Sequence, residues 1–543
     1  MIHLLIPIVV AVCSCCVSLP AQERPTKPKG RAKRVQYKRV HQDILKPLLQ
    51  GNAAKSETLL RAALKADPSD PETRFLETIV AAARGDKAAS ALAMTKALQL
   101  GLPPGRFLAG PRELLAPIAE EPAFQRLLAT HPNQLVHGPM LGHLTDSSVK
   151  VWVRTSAPTE VRLTVTPRST DGPAGSVQSA AKTTAAMDYT CVVQVTGLRP
   201  STDYTYQVRI AGQKQPRGGS FKTLHRHADR GRFTLAFGGG AGYVPKHERM
   251  WDTIRSTDPD LLLLLGDNIY SDAPKLSGMQ RYCYYRRQSR SEFRQLVAST
   301  AVYSIWDDHD FGTNDCHGGP LPDKPPWKKD VYRVFTQNWP NPGFGIEGAA
   351  GCFYDFQAGG CHFLMLDGRC FRENPKKSDA PSMLGQLQLA WLRGRLKAGS
   401  GIFTFLCSPV PWCFRTKNNS LDTWNGFRKE RDAIFAFLTR IKLEGVILLS
   451  ADRHRTDVWK LTRPAVDGAE PYPLIELNSS RLTNQHVHPE MKAAEFSYNK
   501  KQSFGFLDIN TAAADPTVEF KAVNIDGKVV HSRLIPRSSL RFQ

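Results

Sequence analysis

Leu261 to Asp272 reads LLLLLGDNIYSD, five leucines running without interruption into Gly266, Asp267 and Asn268. A short, wholly apolar run is what a strand covered on both faces looks like, and in such sheets ligands bind beyond the carboxyl ends of the strands. Asp267 stands at such an end, and Gly266 lets the backbone turn sharply and come close to whatever Asp267 holds. Taken alone, Gly-Asp after a strand is an ordinary turn. Two later stretches change that reading. Trp306 to Asp315, WDDHDFGTND, follows the strand-like TAVYSI and crowds Asp307, Asp308, His309 and Asp310 together. Leu448 to His454, LLSADRH, ends the apolar GVILLS with Asp452 and His454. Three strands thus each end in oxygen or imidazole donors, the set that divalent and trivalent cations prefer.

The series resembles the calcineurin-like metallophosphoesterases, whose motifs run D-x-H, GD, GNH[ED] and GHxH, each at a strand end. The closer resemblance is to the alkaline phosphatase D, or PhoD-like, family. It is carried by LGDNIYSD, WDDHDFGTND, LDGR at Leu366 to Arg369, LGQLQLAWL at Leu384 to Leu392 and the DRH that ends at His454. It covers roughly residues 137 to 543, and an ordered series is more specific than any one motif.

That resemblance implies an α/β/β/α four-layer metallophosphoesterase domain over residues 225–543 and two or more metal ions. Iron and calcium are the family's metals, and zinc or manganese would suit the same donors. Asp267 would bridge two cations, Asp308 would take the place of the family's metal-binding Asn, and Asp452 and His454 would each hold one metal. A tyrosine is a further family ligand. Tyr282, in RYCYYRRQSRSEFRQL, is its best match here, and an aromatic ring packed on the sheet is the alternative. His309 would be the general acid for the leaving group, with Asp307 or Asp310 to orient it or to bind only solvent or calcium. Arg369 reads either as a bidentate phosphate contact or as a structural ion pair. Asn268 and Asn314 read as phosphate donors or as supports for the metal ligands.

One position departs from the family. Where Gly-Ser-Cys is usual after the first strand, with the cysteine on the first metal, this chain has Gly239-Gly240-Ala241. Tyr243 or His247 could substitute, or the metal has fewer ligands, or the site is damaged.

At 543 residues, 41% of them hydrophobic, the chain has room for three or four domains of ordinary globular composition. Residues 1–21 read as a secretory signal peptide, and lipidation of Cys13, Cys15 or Cys16 is the alternative. Export would place the remaining eight cysteines in an oxidising compartment. Cys352 with Cys361, and Cys407 with Cys413, could then close local bridges, or the cysteines are small buried apolar residues. Much of the net charge of +22 falls in residues 22–42, read as a basic, disordered linker able to adhere to an anionic surface. No helix-turn-helix, finger or aromatic RNA-binding signature accompanies the charge, so it does not argue for a specific nucleic acid.

Residues 43–133 have helical periodicity, and Ala63-Leu64 and Ala97-Leu98 stand 34 residues apart, the tetratricopeptide period. Such a module presents a surface to a protein partner or docks the next domain. Residues 134–224 alternate with period two, as in SVKVWVRT and GLRPSTDYTYQVRI, and read as a fibronectin-like β-sandwich. The closing segments PLIELNSSRLTN, SFGFLDIN and VEFKAVNIDGK read as strands of a second sheet. Patterning and resemblance together imply a multi-domain chain: an α-helical repeat, a β-sandwich and a metallophosphoesterase domain expected to hydrolyse a phosphate ester. The rival functions are a binding protein that kept the fold but lost turnover, and a wall- or membrane-associated scaffold.

Overall fold

The computed structural model describes residues 36–132, 134–168, 175–213, 215–399, 401–414 and 416–543. The signal-peptide reading and most of the linker therefore lie outside the described residues. The linker's last part does not, and it is helical. Tyr37–Leu49 is a helix whose Ile44, Leu45 and Leu48 are buried, an apolar stripe that the surrounding basic residues hide in a reading of composition.

Three more helices follow, Ala53–Ala66, Pro71–Ala83 and Lys87–Gln99. Each begins at a residue suited to cap it. Asn52 accepts from the Lys55 amide at 3.0 Å, Asp70 from the Thr73 amide at 3.1 Å, and Asp86 from the Ala89 amide at 2.9 Å. Helix starts at 37 and 71, and at 53 and 87, are 34 residues apart. The unit is tied to the rest of the molecule through buried His41, whose imidazole lies 2.7 Å from Asp70 and 2.8 Å from Arg286.

Strands Leu135–Gly142, Ser148–Thr155 and Thr190–Thr196 face a four-stranded sheet ordered Val177–Lys182, Glu160–Pro167, Asp203–Ile210, Arg217–Lys222. The first three do not stop at a domain border. They continue a nine-stranded sheet, joined through the parallel pairing of Gly142 with Val302. The body of that sheet is Arg232–Gly238, Leu261–Leu265 and Ala301–Ile305, mutually parallel. Leu261–Leu265 and Ala301–Ile305 are buried at every residue.

A seven-stranded sheet has its own parallel core, Cys361–Met365, Phe403–Cys407, Val446–Ser450 and Leu474–Ser479. The closing segments are divided between the two sheets rather than forming a second one. Leu474–Ser479 lies in the seven-stranded sheet, whereas Ser503–Asn510 and Thr517–Asn524 pair onto Arg232–Gly238 in the nine-stranded sheet. Alternating polarity does not reveal which sheet a strand will join, because both offer an apolar face. Gly239 bridges to Ser480 where the two sheets meet, so the carboxyl ends of their parallel strands open on one region.

The eight described cysteines are all free thiols, and five are buried or flank buried strands. Neither expected local bridge is present, and burial raises the pKa of Cys361, Cys407 and Cys413, as for small apolar fillers. Among the described residues no helix is long and apolar enough to cross a membrane.

Candidate metal centre

The Leu261–Leu265 strand delivers Asp267 through a tight turn. Gly266 has φ +99°, and a Cβ there would lie 2.6 Å from the Asp307 Cβ, so glycine alone lets the two strand ends abut. Asp267 itself is left-handed at φ +54°, as are Asp272, Asp452 and His454 at +48°, +67° and +48°. Non-glycine residues seldom adopt this conformation, and it concentrates where a site fixes its side chains. Asp310 locks the two loops together. Its carboxylate accepts from the amides of Asn268 at 3.2 Å, Ile269 at 2.9 Å and Asp307 at 2.9 Å. Asn268 completes the clamp by donating to the Ile305 carbonyl at 2.8 Å. Asn268 and Asp310 thus hold the loops, and Asp310 does not orient His309.

Asp267, Asp308 and His309 converge, with one ligand atom from each lying within 4.8 Å of the others. All three are buried. Burial pushes Asp267 up to about 6, with His309 opposing and Asp308 adding to the rise. Burial would also raise Asp308, but His309 and Arg369 outweigh it and hold that carboxylate below its usual range. For His309, burial is overcome by Asp308, Asp267 and Asp272, which hold the imidazole up at about 9. Its Nδ1 donates to Asp272 at 2.6 Å, so Asp272, the last residue of the opening stretch, orients it. Tyr270 donates to Asp267 Oδ2 at 2.8 Å, receives a bond from Asn484 at 2.7 Å, and lies with its ring centre 4.4 Å from that of His309.

Arg369 is fully buried and committed to carboxylates. Its Nε donates to Asp307, and its two terminal nitrogens donate to Asp422 at 2.7 and 3.2 Å. This is the ion-pair alternative, and it corrects the reading of Arg369 as an open phosphate contact: a guanidinium whose forks are taken by carboxylates has no face for a ligand. Asp308, Asp315 and Asp422 form a second acidic group within 4.8 Å. Beside it opens a cleft of about 420 Å³ lined by Asp315, His317, Arg372 and Asp422 among others. Asn314 is exposed next to Asp315, whose amide donates to Asp308 at 2.6 Å.

The opposite wall is formed by Asp452 and His454. Asp452 is paired with its neighbour Arg453. His454 is buried, and its ring sits 5.1 Å from that of His486 and 5.5 Å from that of His488. Gly240 runs between the two walls: its amide donates to Gly266 at 3.3 Å, the next amide donates to the Asp267 carbonyl at 2.8 Å, and a Cβ built on Gly240 would lie 3.3 Å from His454 Nδ1. A cysteine at this position would therefore face the site. Neither suggested substitute takes that place. Tyr243 lies 5.7 Å, ring to ring, from His41 and beneath Arg286, and His247 bonds the Thr483 carbonyl at 2.9 Å.

Tyr282 is corrected as well. It packs against Phe75 and under Arg106 of the helical unit, on a helix, Ser277–Gln288, that is buried on nearly every side. Tyr270 is the tyrosine at the site.

The donor set fits a metal. Asp267 Oδ1, Asn268 Oδ1 and His454 Nδ1 are buried without a hydrogen-bond partner, an arrangement that costs free energy unless something binds there. Asp267, Asp308 and His454 would hold such ions, and Asp452 would join them on release from Arg453.

Two parallel-strand cores that present a buried Asp-Asp-His cluster at their carboxyl ends are matched by the family model for PhoD-like phosphatase over residues 235–529, and the chain belongs to that family. A domain of unknown function (DUF7800) matches residues 132–221. Alkaline phosphatase D of Bacillus subtilis (strain 168) is 22% identical over 308 residues, 48% of this chain and 52% of the relative. The chain thus spans about half the length of that curated relative. The solved structure of PhoD superposes with a TM-score of 0.60 at 17% identity, covering 73% of this chain and 88% of that one, a likeness of fold.

The residues missed in the sequence are Tyr270, Asp272 and Asp422. The first two stand inside the opening stretch, where a tyrosine and a second aspartate close behind Gly-Asp were the available signal. Asp422 carried none, since its partner Arg369 is distant in sequence.

Proposed function

We propose that this chain is an exported, metal-dependent phosphoesterase that hydrolyses phosphate mono- or diesters. The observation that carries the reading is the convergence of buried Asp267, Asp308 and His309, with one Asp267 carboxylate oxygen buried and unpartnered. Metal ions held there would supply Lewis acidity and a water of lowered pKa. The chain's own residues do the rest. His309, held by Asp272, gives a proton to the leaving oxygen, and Tyr270 fixes the rotamer of Asp267. The cleft beside Asp315 and Asp422 has room for the ester's leaving group.

In this reading the 34-residue helix pairs are a tetratricopeptide-like unit, and the four-stranded sheet with the three strands it faces is a fibronectin-like sandwich. The metals are iron and calcium, as the resemblance implies, or zinc or manganese. A binding protein that kept the fold is the second reading, and Gly240 in the cysteine position favours it.

The test uses the full mature chain loaded separately with each of these metals. Bound ions are counted by elemental analysis, and p-nitrophenyl phosphate and its bis ester are assayed. Two bound ions with metal-dependent turnover of either ester are expected. Bound metal with no turnover of any phosphate ester would leave the binding protein standing.

A further inference from the structure

The start of the first helix lies across the mouth of the metal centre. Gln36 bonds to Gln485 in the loop that carries His486 and His488, and Arg39 pairs with Asp272, the carboxylate that orients His309. Gln42 donates to the Tyr270 carbonyl at 2.8 Å. Between these anchors, the Lys38 ammonium stands 4.0 Å from the centre of the Tyr270 ring, the ring that bonds Asp267 and lies against His309. Lys38 is half-buried, and among the described residues no carboxylate is within ion-pair distance of it. Its neighbour Arg39 pairs with Asp272.

A partly desolvated ammonium with three donors and no counter-ion is costly to hold in place. The face of Tyr270 compensates for part of that, and the negative field of Asp267 and Asp308 for more. Cations held by those carboxylates would reverse that field. An anion seated between the cations and Lys38 is then what reconciles the two.

We propose that Lys38 is a phosphate-binding residue of this site, brought to it from the opposite end of the chain by the Tyr37–Leu49 helix. It lies outside both segments matched by family models, residues 132–221 and 235–529. The proposal rests on the phosphoesterase reading for its substrate. Its chemistry, recognition of a tetrahedral oxyanion, stands apart from turnover.

The experiment compares the metal-loaded full chain with Lys38→Met and Lys38→Arg. It measures KM and kcat for p-nitrophenyl phosphate, the inhibition constant of inorganic phosphate, and phosphate binding by calorimetry. Loss of a charged hydrogen bond weakens binding by about tenfold or more. Lys38→Met should therefore raise KM and the phosphate inhibition constant by at least that factor while the metal count stays unchanged, and Lys38→Arg should restore most of the affinity. Unchanged phosphate affinity in Lys38→Met overturns the proposal. So does a rise in kcat/KM, which would make the lysine an obstruction. If the wild type hydrolyses no ester, the phosphoesterase reading falls, and calorimetry with inorganic phosphate still decides whether Lys38 holds the anion.

Discussion

The two walls of the metal centre are built on opposite terms. Around Arg369 the carboxylates are already held: Asp307 and Asp422 share its guanidinium, and Asp308 accepts from the amides of His309 at 3.0 Å and Asp315 at 2.6 Å. Around His454 Asp452 is paired with Arg453, but the imidazole is not held. Its Nδ1 is buried with no partner, as is Asp267 Oδ1 across the Gly240 turn. A wall whose charges largely neutralise one another is a scaffold, although the second Asp307 carboxylate oxygen is itself buried without a partner. A wall with bare buried donors is stable only in company, since an orphaned buried polar atom costs about 1–3 kcal/mol. The site is therefore a rigid acidic ledge facing a surface prepared for something to bind.

The largest effect that would break this contrast is expected at Asp267, which faces both walls. Asp267→Asn should lose metal and turnover together, with affinity falling by more than about 100-fold. Elemental analysis alongside ester hydrolysis would read it. Full metal content in that variant would mean that Asp267 is held for Tyr270 alone. His309 comes next and is more diagnostic, because its atoms lie among the ligand atoms yet its Nδ1 is taken by Asp272. His309→Ala should lower kcat by about 10²–10⁴-fold and keep the metal. If the metal leaves as well, His309 belongs with the ligands and the leaving group gets its proton elsewhere.

Arg369 tests the scaffold wall directly. Removing it leaves Asp307 and Asp422 buried with no counter-charge, and breaking such a pair costs about 3–5 kcal/mol. Arg369→Met should therefore lower the unfolding free energy of the apo chain by that amount, read as a lower midpoint of chemical denaturation. An unchanged midpoint with a raised KM for phosphate ester would instead make Arg369 an open contact, and the contrast between the walls would fail.

How far the sequence disclosed all this follows from chain distance. Leu261–Leu265, Ala301–Ile305 and Val446–Ser450 are legible because each is buried at every residue, so that an apolar run can be read as a strand and its end as a ligand position. Asp267, Asp308 and His309 are legible because they crowd at two such ends. The errors arise where a side chain's direction or a distant partner decides. Tyr282 sits on a helix buried almost all round, and nothing in RYCYYRRQ tells which face meets Asp267. Arg369 was open to two readings until Asp422 was in view. Lys38 and Arg39 read as linker because their charge outweighed the three buried apolar residues behind them, and because their contacts, Tyr270 and Asp272, are more than two hundred residues away. The strands after residue 470 alternate correctly but give no sign of which sheet receives them.

The smallest expected effect is at Gly240, and it sharpens the contrast from the other side. If the His454 wall is prepared for a metal that the family holds with a thiolate, restoring that thiolate should add a ligand. The backbone opposes it. Gly240 has φ +71°, and a Cβ there meets the Arg481 amide at 3.0 Å. A left-handed side chain costs about 1–2 kcal/mol, so Gly240→Cys should melt slightly earlier than wild type without metal and regain the difference when loaded. Cobalt makes the ligand visible, because a Cys–Co²⁺ bond gives a charge-transfer absorption that the oxygen and imidazole donors lack. Appearance of that band in Gly240→Cys, and its loss in Gly240→Cys combined with His454→Ala, would place the thiolate and His454 on one ion. A variant that is destabilised, binds cobalt as wild type does and shows no band would mean that the glycine is required by the turn alone, and that the bare His454 nitrogen is completed from another direction, with His486 and His488 the nearest groups able to do so.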